Sequence, residues 1–363
     1  MNITFFGTYN TGTTPRIQVL KEGLEDNGVT VNECNQPLPV STKERVALLS
    51  SPWKIPSLMF NISKCWMSLI KKKRHVPKSD YVLIGHLGLF DIHLAKLLYR
   101  HQHVVLDYMI SAASTAKDRG KNGKLLIKIL TLIDNWALKK ADTILVDTKE
   151  HQEELPAKFK KKSLVISVGA PNEWFVSPKK THKKAEPLKV IFFGNYIPLQ
   201  GATVIAQSLA LINEEVHLSM VGGGQDKDDA VTIALLQSPS VHVHWFDWVE
   251  SYELPEIVAD HDVCLGIFGD TKKSHKVVPN KMFQGAAAGC ALITSSTGPQ
   301  KQTLGEAAIY VSPGDPKSLA SAINDVAKDR AKLQTLKNKS RTLAEEKFRP
   351  KTIVLPLIKL LKS

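Results

Sequence analysis

The chain has 363 residues, is 43% hydrophobic and 23% charged, and carries a formal charge of +13. That is the size of two domains and the composition of a folded globular protein, neither disordered nor fibrous. Its four cysteines (Cys34, Cys65, Cys264, Cys290) are scattered, with no CxxC or Cys/His cluster, so they indicate neither a disulfide framework nor a zinc site and fit a reducing cytoplasm.

The N-terminal run Asn2-Ile-Thr-Phe-Phe-Gly7-Thr-Tyr reads as a buried strand that stops at a glycine. A helix follows, with Thr13 or Thr14 as its cap, Pro15 in its first turn, Ile17, Leu20 and Leu24 on one face, and Gly28 at its end. Val29–Val31 is the expected second strand. Residues 36–78 are broken by five prolines and contain a predicted amphipathic helix, Ser57–Lys73, that runs into Lys71-Lys-Lys-Arg74. Further strands are predicted at Tyr81–Gly85, Val104–Asp107, Thr143–Val146 and Leu164–Val168, with helices at Phe90–Tyr99 and Leu125–Lys140. The lysine-rich stretch Val176–Pro187 reads as a linker.

Lys189-Val-Ile-Phe-Phe-Gly194-Asn-Tyr then repeats the opening phrase 187 residues later. Strands at Val190–Phe193, Val216–Val221, Val241–Trp245, Val263–Ile267, Ala291–Thr294 and Ala308–Val311 alternate with helices, among them Ala202–Ile212, Asn280–Ala288 and Pro316–Ala327. Such alternation means parallel sheets covered on both faces. The expected fold is α/β, with two tandem Rossmann-like domains whose parallel sheets face a cleft. The predicted boundaries are 1–175, a linker at 176–187, and 188–349, with 350–363 crossing back to pack on the first domain.

Three segments bear chemistry. Gly194-Asn195-Tyr196-Ile-Pro-Leu-Gln200-Gly201 joins a strand to a helix, where exposed amides attract phosphate and glycines let the backbone approach it. Gly222-Gly223-Gly224 is a second turn of that kind; a plain tight turn explains either one equally well. In Val277-Val-Pro-Asn280-Lys281-Met-Phe-Gln284, a lysine stands at a helix start, against the helix dipole, which makes sense if an anion sits there. Gln284 lies one turn beyond Asn280 on the same face. A buried helix with an incidental lysine is the plainer alternative.

The order and spacing of these segments, with His244-Trp-Phe-Asp-Trp248-Val249 and Leu265–Asp270 through Ile293-Thr, resemble the C-terminal domain of retaining GT-B glycosyltransferases of family four. Asp107-Tyr-Met-Ile-Ser111, Asp118-Arg119-Gly, Asp134, Ala141-Asp142, Val146-Asp-Thr148 and Val168–Phe175 are similar to that family's N-domain. The resemblance implies a nucleotide-diphosphate sugar as substrate, with no cofactor and no metal, because a cation and helix amides stabilise the departing diphosphate. It places the diphosphate at Gly194–Gly201 and Lys281, the base near Trp248 and Val249, and the ribose near Gln284. Asn195, Tyr196, Gln200, Gly223, Gly224, Lys276 and Asn280 complete the expected donor contacts, joined by Gly7 and Thr8 at the corresponding turn of the first half.

The sequence also departs from the family. Two glutamates separated by seven residues are usual; here Lys276 and Gln284 stand in their places, and Gln200 replaces the usual phosphate lysine. Asp107 occupies the place of a frequent active-site histidine. Its two readings are a structural strand-end carboxylate and a fixed anion beside a developing oxocarbenium ion. Asp107 and Lys281 are the catalytic candidates, and Arg16 and Arg119 the acceptor or anion contacts.

The expected function is hexosyl transfer to a glycan or lipid-linked acceptor in envelope or exopolysaccharide synthesis. Alternatives are a non-catalytic or partner-dependent GT-B subunit and a sugar-nucleotide 2-epimerase-like enzyme. Gly7-Thr-Tyr-Asn-Thr-Gly12 is not a GxGxxG fingerprint, which argues against a dehydrogenase.

The charge is uneven. Residues 1–187 hold 29 Lys+Arg against 17 Asp+Glu (+12), and residues 188–363 hold 19 against 18 (+1). A solvated surface accounts for this, and so does a first domain resting on an anionic membrane; the helix Ser57–Lys73 can be core or interfacial. No nucleic-acid module is present. With no basic leader, the expected location is cytoplasmic, or peripheral on the inner face of the cell membrane.

Overall fold

The computed structural model describes residues 1–10, 14–39, 53, 55–85, 88–109, 111–118, 120–121, 123–177 and 186–362. Arg119, Thr13 and residues 178–185 of the expected linker lie outside them. The chain divides into two compact units, Met1–Ser167 with Ile353–Ser363, and Val168–Thr352. Residues 168–175 group with the second unit, because the Ala170 amide donates to the Phe348 carbonyl and Trp174 stacks on Phe193.

The first unit is built on β1 (Asn2–Gly7), β2 (Thr30–Asn35), β3 (Tyr81–Ile84), β4 (His103–Asp107), β5 (Thr143–Val146) and β6 (Ser163–Val165), in the order β2-β1-β3-β4-β5-β6, all parallel. The central strands are continuous apolar runs because both faces are covered. On one face Leu69, Ile92, Ala95 and Leu138 pack from three helices, Ile55–Lys73, Asp91–Leu98 and Lys124–Lys140. On the other, Ile17, Leu20 and Leu24 of helix Pro15–Asp26 pack beside Leu357, Ile358 and Leu361 of helix Leu355–Lys362. The Tyr81 hydroxyl donates to the Leu361 carbonyl, closing that last helix onto β3. Thr14 precedes the first helix without a side-chain cap bond, so Pro15 alone sets its start.

The second unit carries β7 (Leu188–Phe193), β8 (Val216–Val221), β9 (Val241–Phe246), β10 (Val263–Leu265), β11 (Ala291–Ser295) and β12 (Ala308–Val311), again all parallel. Their order, β12-β11-β10-β7-β8-β9, is the 3-2-1-4-5-6 order of dinucleotide-binding sheets. The two sheets, with helices between strands throughout, have the architecture expected from the sequence. The second strand is longer and later than Val29–Val31, since Asn2 through Gly7 pair with Thr30 through Asn35 in register. No helix among the described residues is long and apolar enough to cross a membrane.

Candidate active site

In a sheet of this order, chain connections leave β7 and β10 in opposite directions, so a crevice opens at their carboxyl ends. The second unit concentrates its candidate residues there. Gly201 is left-handed (φ +70°), and a Cβ on it would stand 2.5 Å from the Gly269 amide nitrogen. The loop after β7 therefore lies directly on the loop after β10. Across β8, the Tyr196 amide donates to the Gly223 carbonyl at 3.0 Å, and a Cβ on Gly224 would run into the Tyr196 backbone. The two glycine turns form one surface of closely spaced backbone.

Lys281 enters this surface from the helix Asn280–Ala287, whose N-cap is Pro279. Its Nζ donates to Gln200 Oε1 at 2.6 Å and lies 3.6 Å from the centroid of the Phe192 ring. A Cβ on Gly194 would be 3.7 Å from that nitrogen. The lysine is buried, and desolvation pulls its pKa from the usual 10.5 to about 7. An amine so placed is a cation waiting for a counter-charge; the nearest acceptor is a neutral amide. Gln284 is buried one turn further on, and Asn280 is half-buried at the helix start. Lys276 ends the short 3-10 turn Ser274–Lys276 that precedes this helix.

The remaining donor candidates divide by exposure. Asn195 and Gly194 are exposed. Trp248 is exposed beyond β9, its Nε1 donating to Glu250 Oε1 at 3.0 Å, with Val249 half-buried beside it. Tyr196 requires a correction: its ring is fully buried in the core against Phe192 and Trp245, so only its backbone is available at the surface.

The turn after β1 also departs from expectation. The Thr8 amide (2.7 Å) and hydroxyl (2.8 Å) both donate to Asp91 Oδ2, while Trp66 Nε1 donates to Oδ1 at 2.8 Å. A Cβ on Gly7 would meet the same oxygen at 3.0 Å. A buried internal carboxylate thus occupies the position that Gly7 and Thr8 were expected to offer a ligand.

Asp107 and Arg16 turn out to be partners. Arg16 Nε and Nη2 each donate to Asp107 Oδ1 at 3.2 Å, and Nη1 donates to the carbonyls of Ile166 (2.7 Å) and Ser167 (2.6 Å). Both side chains are buried, so the anion that Arg16 meets is Asp107 itself. Asp107 Oδ2 has no hydrogen-bond partner among the described residues. Among those residues no group of three or more His, Cys, Asp or Glu side chains is placed to hold a metal ion.

Asp91 and Phe192 also shape these turns, and neither is marked as a site residue by the sequence. Phe192 sits in the repeated Phe-Phe-Gly phrase and was legible as core alone. Asp91 carries no local signal, because its partner turn lies 83 residues away.

Known proteins bear on this geometry in two ways. Residues 187–329 match the family model described as Glycosyl transferases group 1, a span that includes both glycine turns and Lys281. No curated protein sequence matches the chain. Solved structures match nearly its full length at low identity. Sucrose-phosphate synthase from Thermosynechococcus elongatus aligns with a TM-score of 0.74 at 14% identity, covering 99% of this chain and 98% of that one. Anabaena HepE in complex with UDP-glucose gives 0.67 at 14%, covering 100% and 99%. A glycosyltransferase from Rickettsia africae gives 0.58 at 12%, covering 99% and 97%. These likenesses establish the two-sheet GT-B fold, and the family match marks residues 187–329 of the second unit as similar to the Glycosyl transferases group 1 domain.

Proposed function

We propose that the chain transfers a hexose from a nucleotide-diphosphate sugar, with retention of configuration, to a glycan or lipid-linked acceptor in envelope or exopolysaccharide synthesis. It would work in the cytoplasm, peripherally on the inner face of the membrane. The reading rests on one observation, the convergence of Lys281, Gln200 and the turn at Gly194 at the β7/β10 switch point. There, backbone amides and one desolvated amine supply the positive potential that a departing diphosphate needs. Structures of HepE were determined with UDP and with UDP-glucose; a uridine diphosphate donor is the first candidate for this chain. The exposed ring of Trp248 is available to a base, and the amide of Gln284 to ribose hydroxyls. In the first unit, Asp107 is wholly buried and paired with Arg16, which supports its reading as a structural strand-end carboxylate.

The test is a thermal-shift panel of UDP, GDP, ADP and dTDP, followed by donor hydrolysis. One nucleotide should raise the melting temperature, since a hundredfold excess over Kd adds about 2.7 kcal/mol of stability. Lys281→Ala should abolish the shift. No response to any nucleotide would end the reading. A second reading, a subunit that binds donor without turnover, draws on the basic Lys276 beside the site; binding without hydrolysis or transfer would favour it.

A further inference from the structure

The helix Lys124–Lys140 is amphipathic twice over. Its inward side is fixed by Asp134, which is buried and accepts from the Ser111 hydroxyl and from the amides of Ala112 and Ala113. Ala137 and Leu138 pack into the core beside it. With that side committed, the opposite one faces water. It carries Leu125, Ile129, Leu132 and Trp136, spaced at four, three and four residues, and therefore one stripe. Leu125 is 72% exposed and Leu132 60%. Trp136 is stacked on His93 with ring centroids 3.4 Å apart, which holds the indole in place at the surface.

The stripe does not end with its helix. Leu69, Ile92, Ala95 and Leu138 belong to one core cluster, so helices Ile55–Lys73, Asp91–Leu98 and Lys124–Lys140 cover the same face of the first sheet. The outer side of the first of these exposes Phe60 (60%) and Met67 (58%), and Leu97 of the middle helix is exposed too. This layer of three helices holds only two acidic residues, Asp91 and Asp134, and both are buried. The charges beside the stripes are Lys64 and Lys71 on one helix and Lys128, Lys139 and Lys140 on the other, all exposed. Large apolar side chains standing in water beside cations, with every acid withdrawn, have the chemistry of an interfacial helix layer.

We infer that this three-helix face of the first unit docks on an anionic lipid bilayer, with the apolar stripes entering the headgroup boundary and the lysines meeting lipid phosphates. Charge complementarity selects the occupant: a protein partner would need an acidic rim around an apolar centre, whereas an anionic leaflet offers both at once over the whole face. The inference deepens the membrane-facing part of the proposed function and rests on it for its biological setting. It stands or falls separately from donor binding, which belongs to the second unit.

The test is flotation of the full chain with vesicles of phosphatidylcholine alone and with 30 mol% (about a third) phosphatidylglycerol, at low and at about 0.15 M salt. Wild-type protein should float with the anionic vesicles, more weakly as salt rises, and not with neutral ones. Lys128→Glu/Lys139→Glu should weaken binding about tenfold or more, and Leu125→Glu/Leu132→Glu should abolish it. Leu235→Glu/Leu236→Glu, an exposed apolar pair in the second unit, should leave it unchanged. Each variant must keep the wild-type melting temperature and its shift with nucleotide diphosphate, which separates this proposal from the donor reading. Failure of the wild type to float at low salt overturns the inference, as does wild-type binding by Leu125→Glu/Leu132→Glu. A wild-type chain that instead self-associates through this face, and becomes monomeric in that variant, overturns it in favour of a protein interface.

Discussion

Lys281 is destabilising in the empty protein, and its burden depends on pH. Its folded-state pKa, about 7, lies below the usual 10.5. Between those values the unfolded chain binds more protons, so the penalty is full below pH 7 and stability recovers as pH rises through the window. Lys281→Met should therefore raise the melting temperature most at pH 6, and the gain should shrink toward pH 10; a gain independent of pH would show that the amine is not the cause. Diphosphate reverses the sign, because its charge draws the proton back. Wild-type affinity for the cognate nucleotide diphosphate should fall above pH 7, by up to about tenfold per pH unit, while Lys281→Met binds weakly at every pH. Titration calorimetry at pH 6, 7 and 8.5 distinguishes the two. The Arg16–Asp107 pair makes a contrasting case, an ion pair whose two members are both buried. Arg16→Met leaves the carboxylate without its cation and should cost about 3–5 kcal/mol, read by urea denaturation, whereas Arg16→Met/Asp107→Leu should recover part of that loss.

At the scale of elements, the two glycine turns of the second unit do different work. Gly201→Ala combines a left-handed backbone with a Cβ 2.5 Å from the Gly269 nitrogen, so it should cost about 1–3 kcal/mol and loosen the turn that carries Gln200. Gly223→Ala meets nothing nearer than Lys227 Cδ at 3.9 Å and should leave the melting temperature unchanged. A fall in nucleotide affinity in that variant alone would mark close approach of phosphate to its backbone; unaltered affinity would remove Gly223 from the site. Strands that stop at glycine, and helices of 3.6 periodicity behind them, are local signals, which is why β1 and β7 were readable from the Phe-Phe-Gly phrase. What that phrase does next is not local. After β7 the turn faces Lys281 from 81 residues away; after β1 the same kind of turn is closed by Asp91 from 83 residues away. Tyr196 turned inward for a similar reason: its neighbours Phe192 and Trp245 are placed by strand pairing, and no pattern around residue 196 reports them.

At the scale of the molecule, the tandem order of strands and helices was legible because parallel sheets leave continuous apolar runs. The excess of lysine in the first half was equally plain, but the placement of Lys64, Lys71, Lys128, Lys139 and Lys140 beside exposed apolar side chains on helices needed the fold. The C-terminal segment, expected to cross back on its apolar character alone, groups with the first unit. Val354, Leu357, Ile358 and Leu361 are buried in the cluster that also holds Ile3, Phe5 and Leu20. The first unit is therefore assembled from both ends of the sequence. Each fully buried aliphatic side chain contributes about 1.5–3 kcal/mol, so four of them rival the net stability of about 5–15 kcal/mol that a domain retains. A chain ending at residue 353 should lose most of the first unit's stability while keeping that of the second. Calorimetry should show the full chain's first-unit transition moved to much lower temperature or lost, and a second transition that still rises with nucleotide diphosphate. Loss of both transitions would mean that the second unit depends on the first for its folding, and an unchanged thermogram would mean that the helix Leu355–Lys362 adds little to the sheet it covers.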